Sequence, residues 1–96
     1  MSILKNPSHP GEVLKELYLD PLEMSAIALA RHLKVPRTRI ERLVKGTTSM
    51  TADTAMRLAV FFGNTPEFWL NLQRGYDLAK ARASVDVSDI IPLEAA

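Results

Sequence analysis

Basic side chains are concentrated in one short stretch of the chain, residues 31–45. This stretch holds six Lys or Arg residues and one acidic residue, a net charge of +5, whereas residues 1–30 and 46–96 each carry −2. Lys and Arg neutralise phosphates, and an Arg guanidinium can donate two hydrogen bonds to the edge of a guanine. Residues 31–45 therefore have the chemistry to bind nucleic acid, although the +1 of the whole chain argues against indiscriminate coating. The basic residues are Arg31, Lys34, Arg37, Arg39, Arg42 and Lys45.

The same stretch has the spacing of an amphipathic helix. At about 100° per residue, one side carries Ile40, Leu43 and Val44 and the opposite side carries Thr38, Arg42 and Lys45. A short helix capped by Ser25 precedes it, and two short helices joined by a tight turn are typical of the helix-turn-helix, whose second helix enters the DNA major groove. The alternative is a solvated surface in which Glu41 pairs with Arg37 and Lys45, at about 0.2–0.5 kcal/mol per pair. That alternative leaves the other basic side chains without partners.

Capping residues, prolines and glycines divide the chain into five predicted helices and a tail. The pattern predicts an all-α domain over residues 1–83, because no segment there has the alternation of a strand. The tail, residues 84–96, is expected to be short and extended, either a frayed terminus or an arm that adds to a partner's sheet edge. The first predicted helix begins at Pro10 and ends at Pro21. The other four run from a Ser25 cap to Leu33, from Pro36 to Lys45, from a Thr51 cap to Gly63, and from a Thr65 cap to about Ala83.

Several classes of function are disfavoured by the composition. The chain has no cysteine, and neither of its two histidines, His9 and His32, has a companion at metal-ligand spacing. No glycine-rich phosphate loop or serine nucleophile motif is present, so we expect neither an enzyme nor a cofactor. The longest uncharged stretch lies between Arg57 and Glu67, about half of a membrane span, and the N-terminal residues do not resemble a signal peptide. We expect a cytoplasmic protein with no membrane contact, small enough to favour a dimer.

Several segments of the chain together resemble the HigA/VapI-type antitoxins, which are helix-turn-helix proteins of the phage-repressor class. The resemblance extends over about residues 7–82 and implies a five-helix lambda-repressor-like domain. It also implies a homodimer that binds double-stranded operator DNA in its own promoter and neutralises a small basic HigB-like toxin, an mRNA-cleaving ribonuclease. A stand-alone transcriptional regulator without a toxin partner remains the alternative. The matching segments are His9-Pro10-Gly11-Glu12, the run from Ser25 to Pro36, the TADTA of residues 51–55, the FWLNLQ of residues 68–73 and the YDL of residues 76–78.

The resemblance also implies roles for individual residues. The side chains that read base edges are Arg37, Thr38 and Arg42. Those that contact phosphates are Ser25, Arg39, Lys45, Thr47, Thr48 and Ser49. The candidates for the dimer interface are Trp69, Leu72 and Tyr76. The alternative is that these side chains belong to the protein core, and for Trp69 this alternative is favoured.

Three positions depart from the pattern of the phage-repressor class. Ala26 stands where a phosphate-binding Gln is usual, and Pro36 replaces a Ser or Thr cap. Lys34 occupies a turn position where Gly is common, and a left-handed conformation there would cost about 1–2 kcal/mol.

Overall fold

A computed structural model describes residues 7–94, in which five helices and no strand are present. The all-α, five-helix prediction is therefore confirmed. Helix α1 spans residues 10–22 as three continuous sections, Pro10–Val13 (α), Leu14–Leu19 (π) and Asp20–Leu22 (α). The other helices are α2 (Ala26–Leu33), α3 (Arg37–Lys45), α4 (Ala52–Phe62) and α5 (Pro66–Ser84). Residues 85–94 follow as an exposed, non-helical tail.

Helix α1 does not stop at Pro21, as the sequence pattern predicted, but continues to Leu22. A proline inside a regular α-helix lacks the backbone donor and its ring meets the carbonyl four residues earlier. Here the preceding section is π-helical, and the Asp20 amide donates to the Lys15 carbonyl, five residues back. The wider turn accommodates the proline ring, and the helix ends at Glu23, whose φ of 52° is left-handed.

The other helix ends follow the local sequence signals. Ser25, Thr51 and Thr65 each accept a hydrogen bond from the backbone amide three residues later. Gly46 and Gly63 adopt left-handed conformations where α3 and α4 end. Lys34 is also left-handed, with φ 61°, so the α2–α3 turn carries the predicted strain.

The core lies where all five helices meet. Trp69 is fully buried, and its indole Nε1–H donates to the Asn64 side chain at 2.9 Å. The Met50 amide donates to the side chain of the buried Gln73 at 2.7 Å, which fixes the start of α4 against α5. The remaining fully buried large side chains include Leu14, Leu29, Ile40, Leu43 and Leu58. Among the helices of residues 7–94, none has the length and apolar character needed to cross a bilayer.

Two contacts between residues far apart in sequence fix α1 against α3 and α4 against α2. A Cβ on Gly11 would lie 1.7 Å from the Leu43 carbonyl oxygen, so α1 packs directly on the backbone of α3 and only glycine fits. On the other side, the Arg57 guanidinium donates to the Leu33 carbonyl at 2.9 Å, which ties α4 to the end of α2. Helix α3 is thus positioned directly by α1, and α2, the helix before it, is tied to α4.

Candidate nucleic-acid interface

Helix α3 turns its apolar side to the core and its basic side outward. Ile40 and Leu43 are buried, whereas Arg37, Thr38 and Arg42 are exposed. The outward face therefore carries the three side chains assigned to base reading. Such a face has the donors that base edges in a major groove can accept.

The first turn of α3 has open backbone amides. Its N-cap is Pro36, which has no side-chain oxygen, and no side chain caps the helix. The Arg39 amide donates to the Pro36 carbonyl at 3.1 Å, which leaves the amides of Arg37 and Thr38 without an intrahelical acceptor. The positive end of the helix dipole also favours an anion here. The N-terminus of α3 thus adds donors to the basic face.

A groove of about 390 Å³ runs between α3, the turn that follows it and the start of α4. It brings together Thr38 and Arg42 from α3 with Thr48 and Ser49 from the turn. Candidate base-reading and phosphate-contacting residues therefore share one concave surface. Arg37 and Lys45 lie outside this groove, and Lys45 instead lines a cleft next to His9.

An ion-pair cluster that sequence reasoning missed lies at the edge of the groove. Asp53, on α4, accepts from Arg39 at 2.6 Å and from Arg57 at 2.8 Å. Both hydrogen bonds hold the pKa of Asp53 below its usual value, and the bond from Arg57 has the larger effect. Arg57 is four residues from Asp53, a spacing visible in the sequence, but Arg39 is fourteen residues away. Arg39 is thus oriented by a carboxylate and part of its charge is neutralised.

The hydroxyl groups assigned to phosphates differ in what they can still donate. The hydroxyl and the amide of Thr47 both donate to the Arg42 carbonyl, at 3.1 and 3.0 Å, which closes the end of α3. Ser25 accepts from the Ala28 amide at 3.0 Å and keeps its own hydroxyl hydrogen available. Phosphate oxygens are acceptors, so a residue without a free donor cannot bind them directly.

The three dimer-interface candidates occupy different environments. Trp69 belongs to the core, which was the favoured alternative from the sequence, and presents no surface to a partner. Leu72 and Tyr76 are half-buried, and the Tyr76 ring packs edge-on against His9. More exposed apolar side chains lie on α4, where Met56 is 61% and Val60 is 85% exposed.

Comparison with known proteins gives one consistent result, although no protein-family model matches the chain. Virulence-associated protein I of Dichelobacter nodosus is 46% identical over 86 residues, which cover 88% of this chain and 80% of that protein. Antitoxin HigA-1 of Vibrio cholerae serotype O1 is 41% identical over 78 residues, covering 81% and 73%.

Solved structures agree with the curated relatives. The Pseudomonas aeruginosa antitoxin HigA, solved with the higBA promoter, superposes with a TM-score of 0.86 at 38% identity, covering 92% of this chain and 99% of that one. The exposed basic α3, the five-helix fold and these similarities lead to one conclusion. The chain belongs to the HigA/VapI-type family of helix-turn-helix antitoxins.

Proposed function

We propose that this chain is a cytoplasmic antitoxin that binds its own operator as a homodimer, represses its operon and neutralises a HigB-like ribonuclease toxin. The observation that carries the proposal is the exposed basic face of α3, which continues into the groove formed with Thr48 and Ser49. A relative of the same fold has been solved with its promoter DNA. The toxin half rests on relatives named as antitoxins.

In this proposal α3 is the recognition helix. Arg37, Thr38 and Arg42 read base edges, because their side chains are exposed on the side opposite the core. One bidentate Arg–guanine pair discriminates against other bases by about 1–3 kcal/mol. Two such helices in a two-fold dimer would reach successive major grooves if they lay about 34–36 Å apart.

Phosphate contacts fix the register of α3 on the duplex. The proposal assigns them to Ser25, Arg39, Lys45, Thr48 and Ser49, together with the open amides at the start of α3. It omits Thr47, because both of its donors are already bound to the Arg42 carbonyl. For the dimer it keeps Leu72 and Tyr76 and omits Trp69, which is 0% exposed.

Coexpression with the neighbouring gene tests the two halves of the proposal separately. The neighbouring product should arrest growth when expressed alone and be silenced by this chain. Arg42→Ala is the matched variant, because it should still silence the toxin but lose repression of a reporter driven by the upstream DNA. Repression without any toxic neighbour would support the stand-alone regulator instead. Failure to repress would overturn the DNA half.

A further inference from the structure

One histidine joins three parts of the molecule next to the proposed DNA surface. His9 caps α1, its Nδ1 accepting a hydrogen bond from the Gly11 amide at 2.9 Å. Nδ1 must therefore be unprotonated, which leaves the hydrogen of the neutral ring on Nε2. In the sequence, His9 precedes a helix-starting proline and belongs to one of the segments that resemble the antitoxin family.

The other side of the ring faces the turn after α3. A Cβ added to Gly46 would lie 3.8 Å from His9 Cγ, so the ring lies directly beside the place that a side chain at position 46 would occupy. The Thr48 backbone lies close enough to the ring to raise the pKa of His9. His9 and Gly46 line the same cleft, so the ring lies beside the start of the turn that carries Thr48 and Ser49.

The third contact is with α5. The Tyr76 ring meets His9 edge-on, with 5.0 Å between centroids and 76° between planes. Lys80 Nζ lies 5.4 Å from the Tyr76 ring centroid, which extends the contact along α5. A displacement of α5 would therefore move Tyr76 against the His9 ring and change the position of that ring.

We propose that His9 is a positioning residue that holds residues 46–49 in their phosphate-contacting conformation and couples this turn to α5. The proposal rests on the proposed DNA-binding function, since it assigns His9 a role in that site. The ring performs the role only when Nδ1 is free to accept, because a protonated ring has two donors and repels the Gly11 amide.

The direction of the pH effect follows from the surroundings of His9. Burial is the largest influence on the pKa of His9 and lowers it below its ordinary 6.5. Lys80 also lowers this pKa, whereas the Thr48 backbone, Asp77 and Glu12 raise it. Because the folded pKa is depressed, the stabilisation is fully present above pH 6.5 and is lost as the pH falls through the folded pKa. Further charged groups that line the cleft beside the ring are Lys15 and Glu16 on α1 and Lys45 on α3.

His9→Asn and His32→Asn form a matched pair for the test. Asn at position 9 still supplies a cap acceptor but lacks the ring that contacts Tyr76 and lies beside the turn. His32, the only other histidine, stacks on Phe61 at 4.9 Å and lines a different cleft. Amide resonances of residues 47–49 should be followed by NMR from pH 8 to pH 5 in the DNA-free protein, and operator affinity should be measured over the same range.

In the parent and in His32→Asn, the three amides should titrate with one midpoint below pH 6.5, and operator affinity should fall along the same curve. In His9→Asn both pH effects should vanish, affinity at pH 7.5 should drop, and the salt slope should decrease by about 0.9 for one lost phosphate contact. Affinity that rises as the pH falls would instead make His9 a direct phosphate contact. Amides that titrate unchanged in His9→Asn would overturn the proposal, whereas a parent that binds no operator would overturn only the proposed function.

Discussion

Replacing Gly11 by Ala tests how the fold positions α3, the proposed recognition helix. The added Cβ would lie 1.7 Å from the Leu43 carbonyl oxygen and 2.6 Å from its carbon, whereas real Cβ contacts essentially never fall below 3.0 Å. Both atoms belong to backbone, so no side-chain rotation relieves the clash. Helices α1 and α3 must separate by at least 1.3 Å.

Two measurable losses should follow from this separation. Overpacking a tight contact costs about 1–3 kcal/mol, which lowers the Tm of a domain of this size by roughly 4–24 °C. A displacement of this size also exceeds the tolerance of a hydrogen bond, so operator binding should lose at least one base contact, about 5-fold to 150-fold in affinity. Thermal denaturation by circular dichroism and fluorescence anisotropy, measured well below the Tm, check the two effects.

Gly75→Ala is the matched control within the same chain. Gly75 lies inside α5, and a Cβ there would meet no atom within 4 Å. Alanine should therefore stabilise the helix by about 0.5–1 kcal/mol and raise the Tm. A Gly11→Ala protein that melts with the parent and binds operator equally well would refute the claim that α1 fixes α3.

Four further substitutions or truncations have defined outcomes. Arg42→Ala should weaken operator binding, measured by fluorescence anisotropy, by about 1–3 kcal/mol and should weaken binding to unrelated DNA much less. Equal losses of affinity for the two DNAs would make Arg42 a phosphate contact. Asp53→Asn should release Arg39 and steepen the slope of log K against log salt by about 0.9, and an unchanged slope would contradict this. Lys34→Gly should raise the Tm by several degrees, because it relieves about 1 kcal/mol of left-handed strain; a lower Tm would argue against strain. Ending the chain after Ser84 should leave the Tm unchanged, since residues 85–94 are all exposed.

Most of the fold could be predicted because its signals are local. Ser25, Thr51 and Thr65 bond to amides three residues away, and Gly46 and Gly63 end the helices that they follow. Such interactions depend only on neighbouring residues, so the sequence pattern contains them. The end of α1 was misplaced because the effect of a proline depends on the preceding turn, and a π-helical section has no comparably clear sequence signal.

The candidate site was predictable in part. The basic face of α3 follows from helical periodicity, and its exposed residues are those that the periodicity selected. The groups that orient this face lie far away in the sequence, as Asp53 does from Arg39 and Gly11 from Leu43. Neither pair has a spacing that a single sequence could identify. The burial of Trp69 likewise depends on packing between helices.

The most direct test of the account is competitive binding to the DNA upstream of the chain's own gene. Fluorescence anisotropy at about 150 mM salt should compare this duplex with a scrambled duplex of the same length and base composition. A homodimer that reads base edges through α3 should prefer the upstream duplex by at least about 10³-fold. Equal affinity for both duplexes, or no binding to either at low salt, would contradict the central claim that α3 recognises an operator.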